Sequence, residues 1–377
     1  MYVLQQQLNN IQKYIPGNKA IIILGPRRVG KTTLLKHLTK NMKDFLLVNG
    51  EDRFIQEALS SQSISALQKF IGHHKVLIID EAQKIPNIGL NIKLIVDNIE
   101  GVQVIATGSS AFDLAKNTGE PLTGRKITFY QFPIAQYELT QAGENFITTL
   151  EEQENRLIFG SYPEVILSKS NDEKREYLEE IVNSYLYKDI LELDGIRNSE
   201  KIIKLLQLLA FQIGHEVSYT KLGTQLGMSK NTVQKYLDLL EKSFVVHRLG
   251  GFKRNLRTEI SKSSRYYFYD NGIRNALIKN FNSLSLRDDA GMLWENYIIS
   301  ERLKKQHYTK QFSNNYFWRT HDKQEIDFVE EKDGILHGYE IKYGKKVPKI
   351  PRSWLTTYPN AQFLCINQEN YLEFISV

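Results

Sequence analysis

The chain predicts an α/β fold, with a parallel sheet in its N-terminal third, a mainly helical middle and a second, smaller α/β unit at its C-terminal end. Three observations carry that prediction. Residues 20–38 read AIIILGPRRVGKTTLLKHL, an apolar run, a glycine-bounded loop and a leucine-patterned helix. Residues 75–81 read KVLIIDE, an apolar run ending in adjacent carboxylates. From Leu293 onward, helical and alternating apolar patterns follow in the order α-β-β-β-α-β.

The first stretch organises the rest. Residues 20–24 are apolar and β-branched, the pattern of a strand buried on both faces. Leucines at 34, 35 and 38 have helical spacing, and no Pro or Gly interrupts them. Between them, Gly25, Gly30, Lys31 and Thr32 satisfy G-x-x-x-x-G-K-[ST], the phosphate-binding P-loop. Such a loop works because backbone N–H groups and the positive end of the following helix face phosphate oxygens. Gly25, Pro26, Arg27, Arg28, Val29, Gly30, Lys31, Thr32 and Thr33 are therefore expected to bind ATP. Lys31 brings a charge to the β/γ-phosphates, and the Thr32 hydroxyl is a ligand for Mg²⁺.

Residues 76–81 complete the chemistry. Asp80 ends a buried strand, where it serves the magnesium shell. Glu81 follows as the base that polarises water. Two acidic residues can instead cap a helix, but the upstream loop favours the catalytic reading. Further strands are expected at 43–50, 102–107 and 126–130, with one amphipathic stretch at 54–71. The strand at 102–107 runs into Gly108-Ser109-Ser110; Ser109 is the expected γ-phosphate sensor, with Ser110 and Thr107 beside it. Arg125 is either a phosphate-sensing arginine, in its own or a neighbouring subunit, or a surface residue at a strand start.

GPRRVGKTTLL, LIIDEAQKIP, ATGSSAFDL, LTGRKITFYQFPIAQYEL and FGSYPEVIL together resemble prokaryotic AAA-type ATPases that carry a C-terminal domain of endonuclease-like fold. The resemblance covers nearly the whole chain. It implies an AAA-like, five-stranded parallel core of the ASCE type, in which an extra strand separates the two nucleotide motifs. IAQYE at 134–138 is a loose version of the segment usual in that family.

Residues 164–193 read as a mainly helical connector. Residues 201–213, 219–226 and 230–242 then read as three helices, with Gly227-Met228-Ser229 as a turn and Ser229 as an N-cap. A strand at 244–249 and a hairpin from Gly250-Gly251 make the pattern a winged helix-turn-helix. Residues 200–274 contain thirteen Lys/Arg and six Asp/Glu, while the chain as a whole has 49 and 43. The positive charge is thus concentrated here, as DNA contact requires. Lys230, Asn231, Thr232, Gln234 and Lys235 are the candidate groove contacts, and Lys253, Arg254 and Arg257 the candidate phosphate contacts. Winged helices also serve as packing modules, which leaves both readings open.

In the last third, Glu295 lies on the apolar face of a helix with Met292, Ile298 and Ile299, a costly place for a lone carboxylate. Residues 325–330 and 335–343 form a hairpin carrying Asp327 on one strand and Glu340 and Lys342 on the other. This order resembles the PD-(D/E)xK nuclease core. The resemblance implies Asp327 and Glu340 as Mg²⁺ ligands, Lys342 as water-positioning base and Glu295 as a supporting carboxylate. Alternating acids and lysines also occur on ordinary exposed hairpins, and Trp318-Arg319 either contacts substrate or packs.

Composition is that of an ordinary globular chain, with a net charge of +6. The lone Cys365 sits in an apolar run and reads as a core thiol. MYVLQQQLNN lacks a basic n-region and a long apolar run, so no signal peptide, no membrane span and a cytoplasmic location are expected. The expected segments are 1–140, an AAA-like P-loop ATPase core; 141–199, the connector; 200–280, the winged helix; and 281–377, the nuclease-like domain. Two functions fit: an ATP-regulated, metal-dependent DNA-cleaving enzyme, or a nucleotide-dependent switch that binds DNA or protein without cutting. The oligomeric state is left open.

Overall fold

The computed structural model describes residues 5–109, 122–186, 199–252, 264–320, 322, 324–345 and 347–376. They fall into two compact units that divide between Phe132 and Pro133.

The N-terminal unit is built on β1 (Ala20–Leu24), β2 (Phe45–Asn49), β3 (Val76–Asp80), β4 (Gln103–Gly108) and β5 (Lys126–Tyr130). All pairings are parallel and the order is β2-β3-β4-β1-β5, so β4 separates the loop-bearing β1 from β3. Every residue of β1, β3 and β4 is buried, the expected result for strands covered on both faces. Helices α1 (Gln6–Gln12) and α2 (Lys31–Thr39) cover one face. There Leu8, Ile11, Leu34, Leu35 and Leu38 pack with Ile21, Ile23, Ile78, Ile105 and Phe129. The stretch 54–71 is two helices, α3 (Arg53–Leu59) and α4 (Ile64–Ile71), followed after β3 by α5 (Ile88–Asn98). Asp52 and Ser63 each accept a backbone N–H at the start of α3 and α4, and those two caps split the expected single stretch. Because all five strands run the same way, the loop after β1, Asp80 and Gly108 share one edge of the sheet.

The C-terminal unit begins with α6 (Gln136–Gln141), α7 (Phe146–Phe159), α8 (Pro163–Leu167) and α9 (Asn171–Glu180), then a π-helical turn at Ile181–Leu186. A capping box of Ser170 and Glu173 starts α9, within the stretch expected to be mainly helical. The helices α10 (Ser199–Phe211), α11 (Tyr219–Leu226) and α12 (Lys230–Lys242) follow. The sheet comprises β6 (Val246–Gly251), β7 (Ser264–Phe268), β8 (Asn314–Arg319), β9 (Glu325–Lys332), β10 (Ile335–Ile341) and β11 (Gln362–Ile366). Its order is β11-β10-β9-β8-β6-β7. Between β7 and β8 lie α13 (Asn271–Leu277) and the 20-residue α14 (Ala290–Thr309). Helix α15 (Arg352–Thr357) precedes β11, and α16 (Tyr371–Ser376) ends the described chain.

One hydrogen-bonded sheet therefore crosses the expected boundary at residue 280, since β6 pairs in parallel with β8 through Gly250↔Tyr316 and Gly251↔Phe317. Gly250 and Gly251 end β6, which pairs antiparallel with β7 through Gly250↔Ser264, so the expected hairpin opens here, with residues 253–263 outside those described. By compactness the second unit begins at Pro133 and takes in α6. There the Gln136 N–H donates to Glu301 Oε2 at 2.6 Å.

Buried polar groups tie this unit together. Asp270 caps α13 through the Gly272 N–H at 2.9 Å and accepts the Ser161 N–H at 2.7 Å, so the FGSYP stretch is a structural joint. On α14, Arg302 Nε and Nη2 donate to Glu330 at 2.6 and 2.9 Å, and Nη1 donates to the Phe374 carbonyl at 2.8 Å. Trp318 is buried and packs with Ile326, Val329, Trp354 and Tyr358. Cys365 is likewise buried.

Candidate functional site

The phosphate loop is shaped by close approach. A Cβ on Gly25 would meet the Gln131 carbonyl oxygen at 1.9 Å, and Gly30 holds φ at +93°, a conformation that favours glycine. Within the loop, Val29 is fully buried, while its carbonyl accepts from Gln5 Nε2 at 2.9 Å. Lys31 is 4% exposed, and its Nζ donates to the Gly25 and Pro26 carbonyls at 2.9 and 2.8 Å. Its ammonium is thus held inside the loop, where phosphate oxygens would lie.

Asp80 closes the site. It accepts from Thr32 Oγ1 at 2.7 Å and from Thr107 Oγ1 at 2.5 Å, and Thr107 Oγ1 in turn accepts the Glu81 N–H at 3.0 Å. One chain of hydrogen bonds thus links the loop, the end of β3 and the end of β4. Thr32 and Asp80 place a hydroxyl and a carboxylate side by side, the all-oxygen donor chemistry that Mg²⁺ takes. Glu81 has φ +52°, which turns it out of the strand direction. Its Oε2 accepts from Gln83 Nε2 at 2.6 Å, and the same amide donates to Ser109 Oγ at 3.1 Å. Sequence reasoning passed over Gln83, because its use depends on a turn (Ala82–Lys84) that brings it back between β3 and β4.

Arg125 does not join this group. It precedes β5, its carbonyl accepts the Ala20 N–H at 2.9 Å, and its guanidinium pairs with Asp97 at 2.5 Å. In the parallel register Ala20 opposes Lys126 and Leu24 opposes Tyr130. Arg125 therefore lies at the opposite end of β1 from the loop, roughly 15 Å away at about 3.3 Å per residue. Its guanidinium is directed to Asp97 rather than to the loop. Ser110 lies outside the described residues.

In the C-terminal unit, α12 buries Val233, Tyr236, Leu237, Leu239 and Leu240 and leaves Lys230, Asn231, Gln234 and Lys235 exposed, with Thr232 half-buried. Ser229 Oγ caps the helix by accepting the Thr232 N–H at 3.1 Å. Lys253, Arg254 and Arg257 lie outside the described residues.

The second constellation forms across α14, β7, β9 and β10. Lys342 Nζ lies 2.7 Å from Glu340 Oε1 and 3.5 Å from Asp327 Oδ2. Asp327 Oδ2 also accepts the Ile341 N–H at 2.9 Å. Arg265 enters the same cluster from β7, a residue sequence reasoning did not consider. Its guanidinium lies 3.6 Å from Asp327, 3.8 Å from Glu295 and 2.9 Å from Glu325. Tyr267 donates to Glu295 Oε1 at 2.7 Å. Burial, then the charge of Asp327, pushes Glu295 up to about 8, against the pull of Arg265. The same two causes raise Glu340. Burial opposes the charge on Lys342, but Asp327 and Glu340 outweigh it and hold the ammonium above the usual lysine value. Among the described residues, no group of three or more His, Cys, Asp or Glu side chains is placed to hold a metal ion. The expected ligands Asp327 and Glu340, with Glu295 in support, are instead crossed by two cations of the protein. Arg319 pairs with Glu216 at 2.7 Å.

No helix among the described residues is long and apolar enough to cross a membrane. Residues 150–284 match the family described as Domain of unknown function (DUF8612), and residues 290–373 that described as Domain of unknown function (DUF4143). Uncharacterized protein MJ1544 of Methanocaldococcus jannaschii is 29% identical over 361 residues, covering 90% of this chain and 78% of that protein. Uncharacterized protein Rv2008c of Mycobacterium tuberculosis is 26% identical over 344 residues, covering 88% and 72%. The structure of the Aeropyrum pernix ORC1 protein in complex with DNA aligns at a TM-score of 0.32 and 12% identity, over 73% of this chain and 91% of that one. That likeness is too low to bear on this chain. Residues 17–140 match the AAA domain family, the region that holds the loop, β3 and the Asp80 network. Residues 17–140 are an AAA-type P-loop ATPase-like domain.

Proposed function

We propose that the chain is an ATP hydrolase whose nucleotide state controls a C-terminal unit that binds DNA or a protein partner without cutting it. The observation that carries the hydrolase reading is the Thr32–Asp80–Thr107–Glu81 hydrogen-bonded chain. Lys31 and the loop N–H groups bind the phosphates, and Ser109 reads the γ-phosphate. Glu81 orients water and takes its proton. Mg²⁺, with Thr32 and Asp80 as its protein partners, supplies positive charge against the phosphates. Gln83 fixes where the Glu81 carboxylate points. Gln83→Ala is expected to lower kcat for ATP about tenfold, the ~1.4 kcal/mol of one positioning hydrogen bond, with ATP affinity nearly unchanged. A loss confined to affinity would instead place Gln83 on the nucleotide.

For the partner, the exposed Lys230, Asn231, Gln234 and Lys235 on a helix that follows a turn support DNA, and the local excess of positive charge supports it further. A cleaving enzyme is favoured by one observation, the closeness of Lys342 to Glu340 and Asp327. Both readings meet in one experiment. Labelled duplex and single strands are titrated with the full chain, with and without ATP, at 50 and 200 mM salt, and incubated in parallel with Mg²⁺ or Mn²⁺. Two phosphate contacts make affinity fall roughly tenfold across that salt range, and Lys230→Ala/Lys235→Ala should remove the dependence. Affinity indifferent to salt turns the proposal to a protein partner. Cleavage abolished by Glu340→Ala/Lys342→Ala overturns the non-cutting reading.

A further inference from the structure

We infer that Arg265 occupies the cation position of the Asp327/Glu340 cluster, so that this cluster is closed to a divalent metal ion as the chain folds. The inference rests on the non-cutting reading above, and it assigns that reading a residue.

Both oxygens of Asp327 are engaged. Oδ2 accepts the Ile341 N–H at 2.9 Å and faces Lys342 at 3.5 Å, while Oδ1 faces Arg265 at 3.6 Å. Glu295 Oε1 accepts from Tyr267 at 2.7 Å and lies 3.8 Å from the same guanidinium. Glu340 gives Oε1 to Lys342 at 2.7 Å, and its Oε2 is buried without a hydrogen-bond partner. A metal ion arriving here finds neither oxygen of Asp327 uncommitted. To gain Asp327 as a second ligand it must displace a guanidinium.

That guanidinium is not easily moved. Its side chain is 5% exposed, lies over the Phe317 ring with 4.6 Å from Cζ to the centroid, and is drawn by Glu325 at 2.9 Å. A planar, permanently charged group with several donors suits a site bounded by carboxylates on two elements. Mg²⁺ is bound through one or two carboxylates at 2.0–2.1 Å, roughly. At those distances the ion would sit against the arginine, and two positive charges so close in a buried site repel strongly. Arg265 and an ion at Asp327 are therefore alternatives.

Mn²⁺ binding to the nucleotide-free full chain, followed by its electron paramagnetic resonance signal, tests the inference. A Thr32→Ala/Asp80→Asn background removes the N-terminal donors. In that background the chain is expected to show no Mn²⁺ site that depends on Asp327. Arg265→Met is expected to gain one, with affinity raised at least about tenfold, and Asp327→Asn added to Arg265→Met should abolish it. Should Arg265→Met fail to fold, as read by its unfolding midpoint, Arg265→Gln takes its place, since an amide keeps hydrogen bonds to the carboxylates without the charge. An Asp327-dependent site already present with Arg265 intact overturns the inference. So does a folded Arg265 variant that gains no site, because something other than the arginine then excludes the ion. None of these readouts uses ATP turnover or DNA binding, so a failure here is distinguishable from a failure of the hydrolase or partner reading.

Discussion

Glu81→Gln is expected to bind ATP like the unaltered chain and to lose at least about 100-fold in turnover, because a positioned general base contributes roughly 10²–10⁴. The change keeps the shape and the hydrogen bond from Gln83, so the Thr32–Asp80–Thr107 chain is left in place. Only the proton acceptor is lost. Lys31→Ala should differ in kind. Its ammonium is held at the Gly25 and Pro26 carbonyls inside the loop, and its removal is expected to weaken ATP binding as well as turnover. Phosphate release and equilibrium binding of a fluorescent ATP analogue separate the two effects. Turnover within about threefold of normal in both variants would sink the hydrolase assignment.

Arg302→Met is expected to be the most damaging single change to the C-terminal unit, at about 3–5 kcal/mol, because it leaves a buried carboxylate without its partner. Glu330 is 1% exposed and accepts from Arg302 Nε and Nη2 and from Gln306 Nε2 at 2.7 Å. The arginine also holds the Phe374 carbonyl and lies over the Phe374 ring at 4.5 Å, which ties α14 to α16. Adding Glu330→Gln should return part of the loss, since an amide needs no counter-charge. The three tryptophans, Trp294, Trp318 and Trp354, all lie in this unit, so the urea midpoint of tryptophan fluorescence reports on it directly. A loss below about 1 kcal/mol, or a double variant less stable than the single one, would show the pair to be expendable.

The N-terminal core was legible in the sequence because its signals are contiguous. A strand, a glycine loop and a helix stand side by side in residues 20–38, and buried parallel strands read as unbroken apolar runs. Asp80 and Glu81 follow the same logic, as does the cap at Ser229 and the face of α12, set by a period of 3.6. The C-terminal order α-β-β-β-α-β was likewise readable, since alternation marks each strand where it stands.

Only the tertiary structure decided what those strands bring together. Arg125 looked adjacent to the site in the chain, yet parallel pairing puts it at the far end of β1. Gln83 reached Glu81 and Ser109 through a turn that no period announces. Arg265 was assigned to one segment and Asp327 to another, and the pairing of β6 with β8 joined both into one sheet. Local pattern fixes which face of an element is apolar, because that depends on a residue's near neighbours along the chain. Which charge meets which depends on strand register and on pairings between distant residues. A cluster such as Arg265, Glu295, Asp327 and Glu340 therefore exists only once the sheet has formed.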